Sequence, residues 1–326
     1  MGAQVQKSGF GWLWFAALAG GLWGFYGVFT ALASPQLHHQ SELIFLYVCR
    51  VYAVIGLPYA MWMILSGRDH GEATAKGIAF GIGGGILAAI GALAVINAVR
   101  ITKNPVAVMA MVFALAQGFN FLYSLIFQRP TERIRAIFLF GIVMLGFGSW
   151  IVQQYKPGAL SGKTVELSTD WLLYTVAAAA CWGTYGANVR MSTKHSKGSH
   201  YIPLACVSAS YALFGEGMSD YFVIFPTEHW NLIGCLLAIC VGFSGLGGAI
   251  FAIRGNSCAD SPGPVTVMPL LFAIAAVVNS VVTIGLMIAK QGAMSLHPML
   301  LVGLLVLLAG GYIVPKYSPI KPPAKK

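Results

Sequence analysis

Charge is what this chain lacks. Of its 326 residues, 9% are Asp, Glu, Lys or Arg, and only ten are acidic. An ordinary soluble domain carries roughly a quarter charged residues. With 57% of the residues hydrophobic, a soluble fold would have too little polar surface to cover itself. Long polar stretches are also missing. The longest, 154–170, is too short to hide a soluble domain, so an attached ATPase is excluded, and no G-x-x-x-x-G-K-[ST] motif occurs. The six cysteines form no C-x-x-C pair and mostly lie in apolar runs. They read as small buried hydrophobes, with neither a disulfide framework nor a metal site. No cofactor motif is present. The net charge of +10 sits in short loops and at the tail. No groove-sized basic domain exists, so nucleic acid is not an expected partner. The N-terminal apolar run from Phe10 to Ser34 is too long for a cleavable signal peptide and lacks a convincing cleavage site.

What is present is a series of long apolar runs, each read as a membrane-spanning helix. Ten are expected, near 10–33, 43–66, 77–99, 105–127, 134–154, 170–190, 201–225, 231–253, 264–288 and 298–315. The breaks between them carry turn and charge signals, such as SPQLHHQSE, GRDHGEATAK and STKHSKGSH. If the N-terminus is cytoplasmic, fourteen Lys and Arg fall on that side and five on the other, with Arg50 inside a span. Short loops rich in Lys and Arg stay inside, so both termini are expected in the cytoplasm.

The chain also repeats itself. At a shift of 159 residues, WGFYG (23–27) meets WGTYG (182–186), and Tyr52, Ala53 and Gly56 meet Tyr211, Ala212 and Gly215. PVAVMAMVFALAQGFNFLYS (105–124) meets PVTVMPLLFAIAAVVNSVVT (264–283) with eight of twenty positions identical, Pro105, Met109, Phe113 and Asn120 among them. Apolar sequence matches by chance at Leu, Val and Ala, but does not align Trp, Tyr, Pro and Asn in one register. The expected architecture is therefore an all-α integral membrane protein of ten transmembrane helices. Residues 1–158 and 159–326 would form two five-helix repeats. Five spans is an odd number, so the second copy would run through the membrane in the opposite sense. That inverted-topology pairing is the basis of alternating access in transporters.

Ten spans, two five-span halves and a WG-x-x-G-like motif opening each half resemble the drug/metabolite transporter superfamily, EamA type. The stretch ERIRAIFLFGIVMLGFG (132–148) is similar to the end of an EamA repeat, with Glu132 nine residues before Gly141. Arg50 falls where the family often has an Arg in the second span. The second half departs from the pattern: Met294 stands in place of the Glu, and Ala209 aligns with Arg50. The resemblance implies secondary-active transport, commonly export, of a small polar metabolite or drug-like solute, in a bacterial inner membrane. A lipid or glycolipid flippase of the same fold is the alternative. Expected partners are a small-molecule substrate and membrane lipids, and a homodimer stays open.

Candidate functional residues follow from the cost of polarity in a membrane. Charges inside spans cost about 2.5–3.5 kcal/mol on insertion scales and mark functional sites by default. Arg50 and Glu216 lie at similar depth from the outer ends of their spans and are expected to face the central cavity as an ion pair or outer gate. Asp220 is nearer the surface. The plainer alternative is that Arg50 snorkels and Glu216 is a protonated packing residue. Gln117, Asn120 and Ser124 share one face of the fourth span, and Asn279 and Thr283 repeat that face in the ninth. A polar stripe must face protein or a cavity. Trp23, Tyr26, Trp182 and Tyr185 occupy the repeated WGxYG positions, where glycine allows close helix approach and the ring can line a cavity. One enzyme-like signal, GFSG (242–245), matches an intramembrane serine protease pattern. It needs a His within reach of Ser244, and His297 at the rim of the last span is too far. The chain is not expected to be an enzyme.

Overall fold

The computed structural model describes residues 11–127, 133–155, 170–222, 231–258, 261, 263–291 and 297–317. Glu132 and Met294 of the EamA-like signature lie outside these residues, as do the side chains of Ser124 and Asp220. Among the described residues there is no strand, and the helices fall where the apolar runs do. They are α1 (Gly11–Gln36), α2 (Ser41–Leu65), α3 (Ala75–Thr102), α4 (Pro105–Phe127) and α5 (Ala136–Gln154). Then come α6 (Asp170–His195), α7 (Tyr201–Phe222), α8 (Leu232–Ser257), α9 (Pro264–Gln291) and α10 (Pro298–Lys316). Six of them (α1–α4, α8 and α9) are long and apolar enough to cross a membrane. Ala136–Val152 in α5 and Pro298–Val314 in α10 are shorter apolar helices. The protein is thus an α-helical membrane protein. In hydrocarbon every backbone N–H and C=O must be satisfied within the chain, and a helix does that locally.

Punctuation in the sequence sets the helix ends. Pro105, Pro264 and Pro298 open α4, α9 and α10, at the position where a missing N–H costs nothing. Thr74 caps α3 by accepting from the Gly77 N–H at 3.0 Å, and Asn231 caps α8 by accepting from Ile233 N–H at 2.9 Å. In α2 the turn Tyr52–Gly56 is π-helical, directly before Leu57–Pro58. Proline removes one helical donor and its ring crowds the carbonyl four residues earlier, and the wider turn relieves that crowding. The corresponding stretch of α7 has no proline and stays α-helical.

Burial is inverted relative to a soluble protein. Large apolar side chains such as Leu65, Ile126, Leu173 and Leu305 lie on the outside, while Asn120, Asn279, Ser192 and Asn256 are fully buried. Helices of the two halves interleave. α1 packs against α8 and α9, and α6 packs against α3 and α4. α2 meets α7, α4 meets α9, and α5 meets α10. The pairing pattern is the same when viewed from either half.

The turns at the ends of α1 and α6 are alike as well. His38 and His39 take left-handed backbone conformations (φ 49° and 61°), and so do Lys197 and Gly198 (φ 52° and 92°), each 159 residues further on. The His39 N–H donates to Ser34 O at 2.7 Å, and the Gly198 N–H to Thr193 O at 2.9 Å. The first turn is tied to α8 by Asn231 Nδ2 donating to Gln36 Oε1 at 2.9 Å. The second is tied to α3 by Thr74 Oγ1 donating to His195 O at 2.9 Å.

Candidate functional site

The two halves meet around a small aromatic cavity at the centre of the bundle. It is lined by Trp23 and Tyr26 from α1, Tyr52 from α2, Trp182 and Tyr185 from α6, and Tyr211 from α7. Ala88, Val207, Gly245 and Ala249 close the gaps. Its volume is about 20 Å³, enough for one water molecule and nothing larger. Among the described residues, none that lines it is charged.

Partners related by the 159-residue shift lie face to face here. Tyr52 and Tyr211 stack with ring centroids 4.0 Å apart and planes 12° apart. Trp23 and Trp182 stack at 6.0 Å and 21°. Just beyond them, Phe113 and Phe272 stack at 5.2 Å and 18°. The two indoles are held in matching ways. Trp23 Nε1 donates to Gly245 O at 3.2 Å, and Trp182 Nε1 donates to Ala88 O at 3.3 Å. A Cβ built on Gly248 would clash with the Cδ1–Nε1 edge of the Trp23 indole, and one on Gly91 with the same edge of Trp182. Those two glycines are what lets each indole lie flat against its neighbouring helix. Tyr211 O–H also donates to Ala88 O, at 2.9 Å. The hydroxyls of Tyr26 and Tyr185 are buried and have no hydrogen-bond partner among the described residues. Buried polar atoms are normally paired, so these two are the chemically unsatisfied groups of the cavity.

Of the residues singled out in the sequence, Trp23, Tyr26, Trp182 and Tyr185 are brought together in this lining. The asparagines are not. Asn120 Nδ2 donates to Pro264 O at 2.9 Å, and Asn279 Nδ2 donates to Pro105 O at 3.1 Å. Each asparagine thus reaches across the α4–α9 contact to the first residue of the other helix. Gln117 is 2% exposed and lies outside the lining. Arg50 and Glu216 are both exposed and also lie outside it. Their chain neighbours nevertheless touch: a Cβ on Gly215 would lie 2.7 Å from Cys49 Cβ. The Ser244 hydroxyl of the GFSG stretch donates to Val241 O at 2.9 Å, within its own helix.

Sequence reasoning did not select Tyr52 and Tyr211 as site residues, although both repeat at the 159-residue shift. That coincidence was the available signal. It also missed a polar cluster at the end of the bundle carrying the 66–74 and 196–200 connections. There the Ser199 hydroxyl bonds Asp69, and Glu72 N–H donates to Ser196 O at 3.2 Å. Ser192 Oγ donates to Gly77 O at 2.7 Å, and Arg254 Nη2 donates to Tyr201 Oη at 2.7 Å. His200 lies in this cluster. Burial, then the nearby Arg254 guanidinium, lowers its pKa, against an opposing pull from Asp69. Among the described residues no group of His, Cys, Asp and Glu could hold a metal ion.

No family model and no curated protein matches the chain. Among solved structures, 23 chains match it. One, described only as "Crystal structure of protein", superimposes with a TM-score of 0.62 over 91% of this chain and 95% of that one, at 16% sequence identity. The arrangement of the described helices is therefore similar to a fold that has been solved, and at that identity the likeness concerns the fold alone.

Proposed function

We propose that this protein is a secondary-active transporter of the drug/metabolite type, which carries a small solute by alternating access through the aromatic cavity. The carrying observation is that residues 159 apart meet each other around that cavity: Tyr52 with Tyr211, Trp23 with Trp182, and Phe113 with Phe272. Contacts of this kind are expected where two equivalent five-helix halves face each other across a pseudo-two-fold axis. With five spans per half, that axis lies in the membrane plane, and exchanging the conformations of the halves moves the opening from one side to the other. The cavity of about 20 Å³ fits a state closed to both sides, between the two open ones.

In this reading all ten helices cross the membrane and both termini are cytoplasmic. The protein resides in a bacterial inner membrane and exports its solute. Arg50 and Glu216, each one residue beyond the Cys49–Gly215 contact, act as a gate at the outer end of the α2–α7 seam. The test is counterflow of a panel of metabolites and drug-like solutes in liposomes holding the purified protein. Flux of a water-soluble solute supports the transporter. Movement of labelled lipid without solute flux would favour a flippase. Reporter fusions after Lys326 and within 68–76 should read cytoplasmic, and those within 34–41 external. An external C-terminus would sink the ten-span topology.

A further inference from the structure

We propose that Arg50 anchors the phosphate of one outer-leaflet phospholipid, whose acyl chains lie along the α2–α7 seam. This goes beyond the transport reading and takes from it only the topology, which puts the Ser41 end of α2 on the outer side.

α2 is 25 residues long, about 37 Å at 1.5 Å per residue, against a hydrocarbon core of about 30 Å. Arg50 follows Ser41 by nine residues. Its Cα therefore lies about 13 Å down the helix and about 10 Å inside the hydrocarbon. A guanidinium cannot shed its charge, and it carries five donors. At such depth it is costly unless it reaches a counter-charge. Among the described residues Arg50 makes no hydrogen bond and no ion pair. In a helix each Cα–Cβ bond tilts toward the N-terminus, so Arg50 leans outward, toward the headgroups. Glu216 stands on α7, which runs the other way, and leans inward. The counter-charge for Arg50 therefore comes from the membrane surface above it.

The surface below Arg50 is apolar. Arg50 is exposed, and so is Val54, one turn deeper on the same face, at 71%. Leu213, across the seam on α7, is 73% exposed, and Gly217 has open space where a Cβ would stand. Lipid tails are as apolar as leucine and cover such a strip without penalty. A permanent cation at the head of an exposed apolar strip is complementary to a phospholipid. The guanidinium fork takes two phosphate oxygens, and the tails run down past Val54 and Leu213. Free phosphate offers the same oxygens, but gains nothing from the strip and must be desolvated to sit there. In the repeat, Ala209 takes the place of Arg50, so the site belongs to one leaflet only. The lipid lies over the Cys49–Gly215 contact, the point at which the proposed gate must part.

The test is native mass spectrometry of the full chain, purified in detergent and titrated with phosphatidylglycerol. Wild-type protein should retain one lipid per chain. Diacylglycerol, with the same tails and no phosphate, should bind about tenfold more weakly or less well still. Arg50→Gln should weaken phosphatidylglycerol binding by a similar factor, and Arg50→Lys by less, since an ammonium lacks the fork. Arg68→Gln removes an exposed cation at the inner end, over the Trp62 ring, and should leave retention unchanged. Diacylglycerol bound as well as phosphatidylglycerol would overturn the site, and needs no variant. So would full retention in Arg50→Gln, or an equal loss in Arg68→Gln. Release of the lipid by excess inorganic phosphate would show a free-anion site instead. Retention raised severalfold by Glu216→Gln would show that Arg50 already has its partner within the protein. The transport reading fails separately: lipid retained without flux of any solute sinks the transporter alone, and flux without retained lipid sinks this site alone.

Discussion

Substituting Gly215 by Ala tests how tightly α2 and α7 are held across the cavity. The new Cβ would lie 2.7 Å from Cys49 Cβ, whereas carbon atoms pack at about 3.5–4.0 Å. The helices must therefore part by about 0.8 Å or more at this point. Cys49 Cβ is fixed to its backbone and cannot rotate away. The separation falls one turn from the Tyr52–Tyr211 stack, whose rings are 4.0 Å apart. A gap of 0.5–1 Å forfeits about a quarter to a half of a dispersion well, so a ring pair worth about 0.5–1.5 kcal/mol loses a few tenths. Overpacking adds about 1–3 kcal/mol, and the better helix propensity of Ala returns about 1 kcal/mol. Overpacking wins, with a net loss of about 1–2 kcal/mol. Equilibrium unfolding in mixed detergent micelles would measure it. The swapped pair Gly215→Ala with Cys49→Gly leaves one Cβ in the gap and should recover much of the loss. Gly56→Ala makes the reciprocal contact, at 2.6 Å, with Ser208 Oγ. A hydroxyl can rotate aside, so this variant should cost less. Gly215→Ala as stable as the wild type, or a swap no better than the sum of its parts, would refute the close seam.

Asn120→Ala and Asn279→Ala each remove one interhelical hydrogen bond. Each should cost only about 0.6 kcal/mol, the average in a membrane, and by similar amounts, so a loss of several kcal/mol in either would reveal a further role. Arg50→Ala and Glu216→Gln should each lower transport at equal expression, and the double variant should fall short of the summed effects; undiminished flux in both would leave two snorkelling charges. His200 titrates lower in the folded protein than its unfolded value of about 6.5. Protonation therefore favours the unfolded chain: stability is full above pH 6.5 and declines as pH falls from there through the lower folded value. Melting curves between pH 7.5 and 5 on wild type and His200→Gln should show that the variant loses part of the acid slope, and an unchanged slope would count against the assignment.

Much of this was legible in the sequence because its physics is local. Apolar length reports a helix in hydrocarbon without any knowledge of neighbours, and six of the helices among the described residues are long and apolar enough to cross a membrane. The register of Trp23 with Trp182 and of Asn120 with Asn279 is a property of the chain alone. What those residues do with each other is not. Trp and Asn both repeat, yet the indoles line a cavity while the asparagines brace Pro264 and Pro105. A polar stripe reads the same whether it faces a cavity or a neighbouring helix. Arg50 and Glu216 have matching depth, but depth along a helix does not set direction around it, and both lie on the exposed side. Tyr52 and Tyr211 gain their place only because α2 meets α7, a contact between segments far apart in the chain. Composition settled the solvent and periodicity settled the helices. Which repeated residues meet their own counterparts, and how small a space they leave, was decided by helix packing.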